Sequence, residues 1–484
     1  LTIAKLRNLA RGSIFVQILL PVIAVIVIVA AANLIASNYV SPNQDPQFPV
    51  MTKNTNFRIK LVVSNLSLPT SMAFLDHHNI LVVEKNTGYV RLISDNKLRT
   101  EPLLKLNVSS QGERGLLGLA ILNKSNSNDN SISQITSKSI DSEKDIKSRH
   151  PFASSLLPKR LPNSVTKAYV FFYLTELEKN SEARNVIYRF EWNGSALTNP
   201  KLIMESPVVA GIFHNGGKMI IGPRDHQLYV VIGDLNSPNT VMQNYKYGKK
   251  SSYSSVILRI NPLTGLPSAD NPFLNNKTTG SGITNITGLD YLYAYGIRNS
   301  FGLAFDPLTG SLWDTENGEN TYDEINLVKP GFNSGWDKIM GPIARNNDTT
   351  AQNKLVDLPG SFYSDPKFSW RTPIGVTAIE FFNSSKFGTK YENSIFVGDI
   401  NQGNIYYFEV NNPYRTSLNM NDGLHSELVD HVADNKNESL ENLFATNFQG
   451  RITDIQTGPD GNLYILTYFD GKIYKIIHNS RSAN

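Results

Sequence analysis

Apolar and polar positions divide this chain into three regimes. From Ile14 to Ala36 runs IFVQILLPVIAVIVIVAAANLIA, with no charged residue. About 20 apolar residues cross a bilayer, so residues 14–36 are predicted to form a transmembrane helix, in which Pro21 is tolerable. Residues 37–56, with their Pro, Asn and Gln, read as a tether. From residue 57 to about 480 the pattern becomes one of short apolar strands, Gly/Asp/Pro turns and period-two alternation.

That phrase recurs six times. Ser71 to Ile93 (SMAFLDHHNILVVEKNTGYVRLI) is the first unit, and GLLGLAIL with AYVFFYLTE and NVIYRFEW the second. Lys218 to Asp234 with SVILRINP makes the third, and Phe301 to Gly318 through EINLV the fourth. TAIEFFNSSKF through NSIFVGDINQGNIYYFEV is the fifth, and Ile452 to Ile477 the last. Repeated strand groups joined by loops of variable length predict an all-β fold, a six-bladed β-propeller, over a pair of β-sandwiches. Phe57 to Val63 (FRIKLVV) is predicted to supply the outer strand that closes the last blade. Residues 123–162 are polar and aperiodic and are expected to be a disordered insertion within the second unit.

Composition narrows the setting. The chain has 484 residues, 40% of them hydrophobic, a net charge of +4 and no basic tract, which argues against nucleic-acid binding. It contains no cysteine, which excludes disulfides, thiol catalysis and Cys-ligated zinc. Lys5, Arg7 and Arg11 precede the apolar run, so residues 1–13 are expected in the cytoplasm and the propeller outside. The competing reading, a cleaved signal peptide, has a shorter apolar region. Asn-x-Ser/Thr acceptors, from Asn65 to Asn437, are consistent with an exported glycoprotein.

Three clusters carry candidate chemistry: His214 with Asn215-Gly216-Gly217, Arg298-Asn299 ahead of a strand, and TENGENTYDEINLVKPGFNSGW. Each alone has a plain structural account, as a turn histidine, a loop-bonding pair and a solvated acidic loop. A glycine-containing acidic loop also suits Ca²⁺, which takes six to eight oxygens, backbone carbonyls included. The spacing of an EF-hand is absent.

Together the segments HNGGKMIIGPRDHQLYVVIGD, YAYGIRNSFGLAFDPLTGSLWDTENG, DEINLVKPGFNSGW, GRITDIQTGPDGNLYILT and GERGLLGLA resemble the soluble quinoprotein glucose/sorbosone dehydrogenase family. The resemblance, from about Leu68 to Ile477, implies a propeller that binds pyrroloquinoline quinone (PQQ) and calcium. It also implies oxidation of the anomeric C–OH of aldoses, the quinone taking the hydride. On that resemblance His214 matches the general base, a task suited to an imidazole. Arg298 matches the arginine beside the quinone oxygens and Asn299 a cofactor-bonding position. Gly318 and Glu319 match the carbonyl pair that holds the active-site calcium, and Glu324 and Ser334 fall where some members hold a second one.

Where tight binders neutralise the quinone's three carboxylates with a lysine and two arginines, this chain has Asn401, Arg451 and Thr453. Two lost cationic contacts weaken binding by roughly two to four decades unless replaced. Lys218, Lys329 and Lys338 are nearby in sequence, and Phe213 replaces an acidic residue of the glucose-oxidising members. The expected partners are a sugar or alcohol substrate, an electron acceptor and the membrane. Two alternatives stand beside this reading: a non-catalytic propeller binding glycan or protein, and a calcium-dependent lactone or ester hydrolase.

Overall fold

The alternating segments form strands that assemble into six sheets in the computed structural model, which describes residues 48–52, 56–124, 167–177, 182–274, 285–420 and 428–479. The chain divides into two units between Phe48 and Pro49, and the architecture is that of the second.

The sheets follow chain order. The first contains Pro69–Phe74, Asn79–Glu84 and Tyr89–Ser94, and the second Leu116–Asn123, Ala168–Leu177, Ala183–Trp192 and Leu197–Val209. The third starts with Met219–Ile221, the fourth with Ser300–Phe305, the fifth with Val376–Phe381 and the sixth with Ile452–Thr457. Each first strand packs against the first strand of the next sheet, and the sixth returns to the first. Phe57–Val63 pairs antiparallel with Lys472–His478, so the strand that precedes the first sheet is hydrogen-bonded into the last. This is a β-propeller, closed where a strand from ahead of the first sheet completes the last one.

An apolar core lies at every junction between sheets. Phe172 and Phe190 of the second sheet meet Leu81 and Val83 of the first, and Tyr173 and Ile187 meet Val230 and Ile232 of the third. Trp313 and Trp370 join the fourth sheet to Val376 and Tyr406 of the fifth, while Val63 and Ile473 join the sixth to Met72 and Val82 of the first. Central strands are therefore buried on both faces. Leu228–Ile232, Val256–Ile260 and Leu463–Thr467 are buried at every residue, where alternation alone would have left one face exposed.

Two boundaries differ from expectation. Val50–Met51, assigned above to the tether, pairs with Thr446 and Ala445 at the edge of the fifth sheet, whose open backbone groups it satisfies. Asn123, assigned to the insertion, ends the strand Leu116–Asn123, and residues 125–166 lie outside the described residues. The expected transmembrane helix at 14–36 also lies outside them, and among the described residues no helix is long and apolar enough to cross a membrane.

Candidate active site

A cavity of about 220 Å³ opens at the centre of the ring. Thr70, Leu117, Phe301, Thr377 and Thr453 reach it from five of the first strands, and Lys218 from the residue preceding the remaining one. Lys85, Glu113, Gly216, Ile400 and Tyr468 complete its wall from loops between strands. Convergence of all six sheets on one space follows from the closed ring.

His214 stands where the chain enters the third sheet. Its backbone is left-handed, at φ 58°, which is unusual for a residue with a side chain. Two contacts hold it there: its N–H donates to Glu113 Oε2 at 2.6 Å, and its carbonyl accepts from Leu235 N at 3.2 Å. The ring lies 2.7 Å from Asp234 Oδ1 through Nδ1 and 3.2 Å from Arg298 Nη2 through Nε2. A carboxylate and a guanidinium fix the tautomer: Nδ1–H donates to Asp234, so Nε2 carries the lone pair. Asp234 is itself held, because Trp336 Nε1 donates to its Oδ2 at 3.1 Å and the Asn236 N–H to its Oδ1 at 2.8 Å.

Arg298 is fixed from both sides. Its N–H donates to Glu316 Oε1 at 2.6 Å, Nη1 donates to the Asn317 carbonyl at 3.2 Å, and the guanidinium lies 5.4 Å from the Trp336 ring. Its Nε is buried with no hydrogen-bond partner, as is Asn299 Oδ1. Buried polar atoms of this kind point to a bound group that completes them. Gly233 lets these residues converge: a Cβ there would lie 2.4 Å from the His214 carbonyl and 2.7 Å from Asn299 Oδ1.

The acidic loop divides into two sets. Gly318 follows Asn317 and donates its N–H to Asp323 Oδ1 at 2.9 Å, while Glu319 is exposed. Glu324 and Ser334 instead belong to a buried cluster behind Arg298. Ser334 Oγ donates to Glu316 Oε2 at 2.6 Å, Glu316 lies opposite Glu324 in the sheet, and Gly341 N donates to Glu324 Oε1 at 2.5 Å. Burial and then the neighbouring carboxylates push the Glu316 carboxyl well above the usual range; burial foremost does the same for Glu324 and Asp314. Among the described residues no group of three or more His, Asp or Glu is placed to hold a metal.

Asn401 and Arg451 meet at another part of the ring, where Arg451 Nη1 donates to the Asn401 carbonyl. Thr453 lines the cavity, but its hydroxyl donates to the Pro69 carbonyl at 3.0 Å. Of the lysines noted in sequence, Lys218 lines the cavity paired with Asp454 at 2.7 Å, and Lys338 pairs with Asp337 at 2.8 Å. Sequence reasoning missed Glu113, Asp234, Trp336 and Lys85. The first three sit inside the motifs GERG, IGD and SGW, so the signal was present but assigned no role. Lys85 follows a strand in the first unit and carried none.

The glucose/sorbosone dehydrogenase family profile matches residues 160–475. Quinoprotein glucose dehydrogenase B of Acinetobacter calcoaceticus is 25% identical over 493 aligned positions, covering 87% of this chain and 88% of that protein. Aldose sugar dehydrogenase of Escherichia coli (strain K12) is 26% identical over 257 residues, covering 52% and 57%. The solved structure of the soluble aldose sugar dehydrogenase from Escherichia coli, in its apo form, superposes with a TM-score of 0.60 at 21% identity, over 87% of this chain and 99% of that one. Family profile, chain-length similarity and shared propeller agree: this chain belongs to the glucose/sorbosone dehydrogenase family.

Proposed function

We propose that this protein is a sugar dehydrogenase that uses PQQ and calcium, built as a six-bladed propeller in which each sheet is one blade. The observation that carries the reading is the Asp234–His214–Arg298 chain, with spacings of 2.7 and 3.2 Å, beside a central cavity. The unpartnered Arg298 Nε and Asn299 Oδ1 fit a polar cofactor there.

When bound, the quinone would supply the acceptor for the hydride leaving the sugar C1. His214 Nε2 takes the proton of the C1 hydroxyl, so the two transfers leave a lactone. Asp234 holds the ring through Nδ1–H and stabilises the imidazolium once Nε2 is protonated. Arg298, whose Nε has no partner, would place positive charge at the bound quinone, where negative charge develops on reduction. The carbonyls of Gly318 and Glu319 are where calcium would be held, supplying Lewis acidity to the quinone oxygens. Glu324 and Ser334 would hold a second ion through oxygen donors alone, as calcium prefers.

The reading extends to the membrane. Lys5, Arg7 and Arg11 ahead of the apolar segment 14–36 support an anchored protein whose propeller faces outward. Sequon asparagines 65, 107, 123, 285, 347, 383 and 437 are exposed, as glycan acceptors must be. A non-catalytic propeller is favoured by one observation: the Thr453 hydroxyl is spent on a backbone carbonyl and leaves no cation at that position.

Incubating the full chain with PQQ and Ca²⁺, removing free quinone and adding aldoses with a redox dye separates the two. The expected result is a bound-quinone absorbance and sugar-dependent dye reduction. Protein that retains no quinone at micromolar concentration would end the dehydrogenase reading.

A further inference from the structure

Lys85 is a buried ammonium with no carboxylate partner, and it faces the central cavity. Only 7% of the residue is exposed. Its Nζ donates to Asn86 Oδ1 at 2.8 Å and approaches the Ser110 carbonyl at 3.5 Å, both neutral acceptors. Among the described residues no carboxylate lies within ion-pairing distance of it. Burying an ammonium without a contact ion pair is costly, and an anion in the cavity would offset that cost.

The other charged groups of the wall are already committed. Lys218 is neutralised by Asp454 at 2.7 Å. Glu113 accepts the backbone N–H of His214 at 2.6 Å. Lys85 is also pre-positioned: its N–H donates to the Leu68 carbonyl at 3.1 Å, and its own carbonyl accepts from Leu116 N at 3.0 Å. Those bonds fix its backbone between the first and second sheets, and the Asn86 contact holds Nζ itself. Burial lowers its pKa and the Glu113 charge raises it, as expected of an ammonium held in place without a contact ion pair.

We infer that Lys85 binds a carboxylate of the cofactor, replacing one of the two cationic contacts that Asn401 and Thr453 no longer supply. The inference rests on the quinone reading above. It assigns the residue a binding role, distinct from the proton transfer at His214. It also explains how one charge returns to the site from a different blade of the ring.

The test is titration of the full chain, in the presence of Ca²⁺, with PQQ and with its trimethyl ester, following bound-quinone absorbance. Lys85→Met and Lys85→Gln should weaken PQQ binding about 10- to 100-fold, the range for one charge-assisted hydrogen bond. Lys85→Arg should stay within about threefold. The ester, which lacks the carboxylate charge, should bind wild type and Lys85→Met alike, and Asn401→Lys in the Lys85→Met background should recover part of the loss. Without quinone, Lys85→Met should melt at or above wild type, because it removes an unpaired buried charge. Equal PQQ affinity of wild type, Lys85→Met and Lys85→Gln would overturn the role of Lys85 and leave the dehydrogenase reading standing. Wild type that takes up no PQQ would overturn that reading and this assignment with it.

Discussion

A histidine in left-handed backbone, held by Glu113 and Leu235, is strain stored at the proposed active site. Its companions explain why it is tolerated. Asp234 fixes one ring nitrogen, Arg298 faces the other, and Trp336 supports both. His214→Asn should lower kcat for aldose oxidation by about 10²- to 10⁴-fold, the range for loss of a positioned base. PQQ affinity, measured by absorbance, should change little. Asp234→Asn removes the acceptor for Nδ1–H and should lower kcat in the same direction with KM nearly unchanged; an unchanged kcat would show that the tautomer does not matter. The histidine, arginine and asparagine were legible in the sequence because short motifs carry them. The aspartate and tryptophan were not, because their roles exist only where chain segments 20 and 102 residues apart come into contact.

Individual strands carry charge as well as shape. Glu380, in the fifth sheet's first strand, accepts Thr457 N of the sixth at 2.9 Å. Burial chiefly raises its carboxyl to about 7, with the Thr457 bonds acting against that rise. Its folded pKa lies above the ordinary 4.5, so its contribution is full below pH about 4.5 and is lost as pH climbs through about 7. Glu380→Gln should therefore be about 1–3 kcal/mol more stable relative to wild type at pH 8 than at pH 5, read from urea midpoints. A pH-independent difference would contradict this. Strand positions were legible from alternation, yet the central strands broke it, since each sheet is covered by a neighbour on both faces.

The ring as a whole is cross-braced by one carboxylate. Asp454 of the sixth sheet accepts Lys218 Nζ beside the third sheet at 2.7 Å, and Met72 N and Ser71 Oγ of the first at 2.9 and 3.2 Å. Removing it strands a lysine in the channel. Asp454→Ala should cost about 3–5 kcal/mol of stability, seen as a lower urea midpoint, and Lys218→Met in that background should recover part of the loss. Closure by Phe57–Val63 against Lys472–His478 couples the ends of the propeller in the same unfolding event. That pairing was legible because an isolated alternating strand ahead of the first unit had no other sheet to complete.

Local pattern by itself determined the strand groups, their order, the closing strand and the motifs that carry His214, Arg298 and Asn299, because hydrophobic period and turn chemistry act over a few residues. Which charged side chains share the channel was decided only by the tertiary structure. Lys85 reaches the cavity, Lys218 is neutralised and Thr453 turns to a carbonyl because the ring brings distant strands into contact, and a one-dimensional pattern holds no record of those distances.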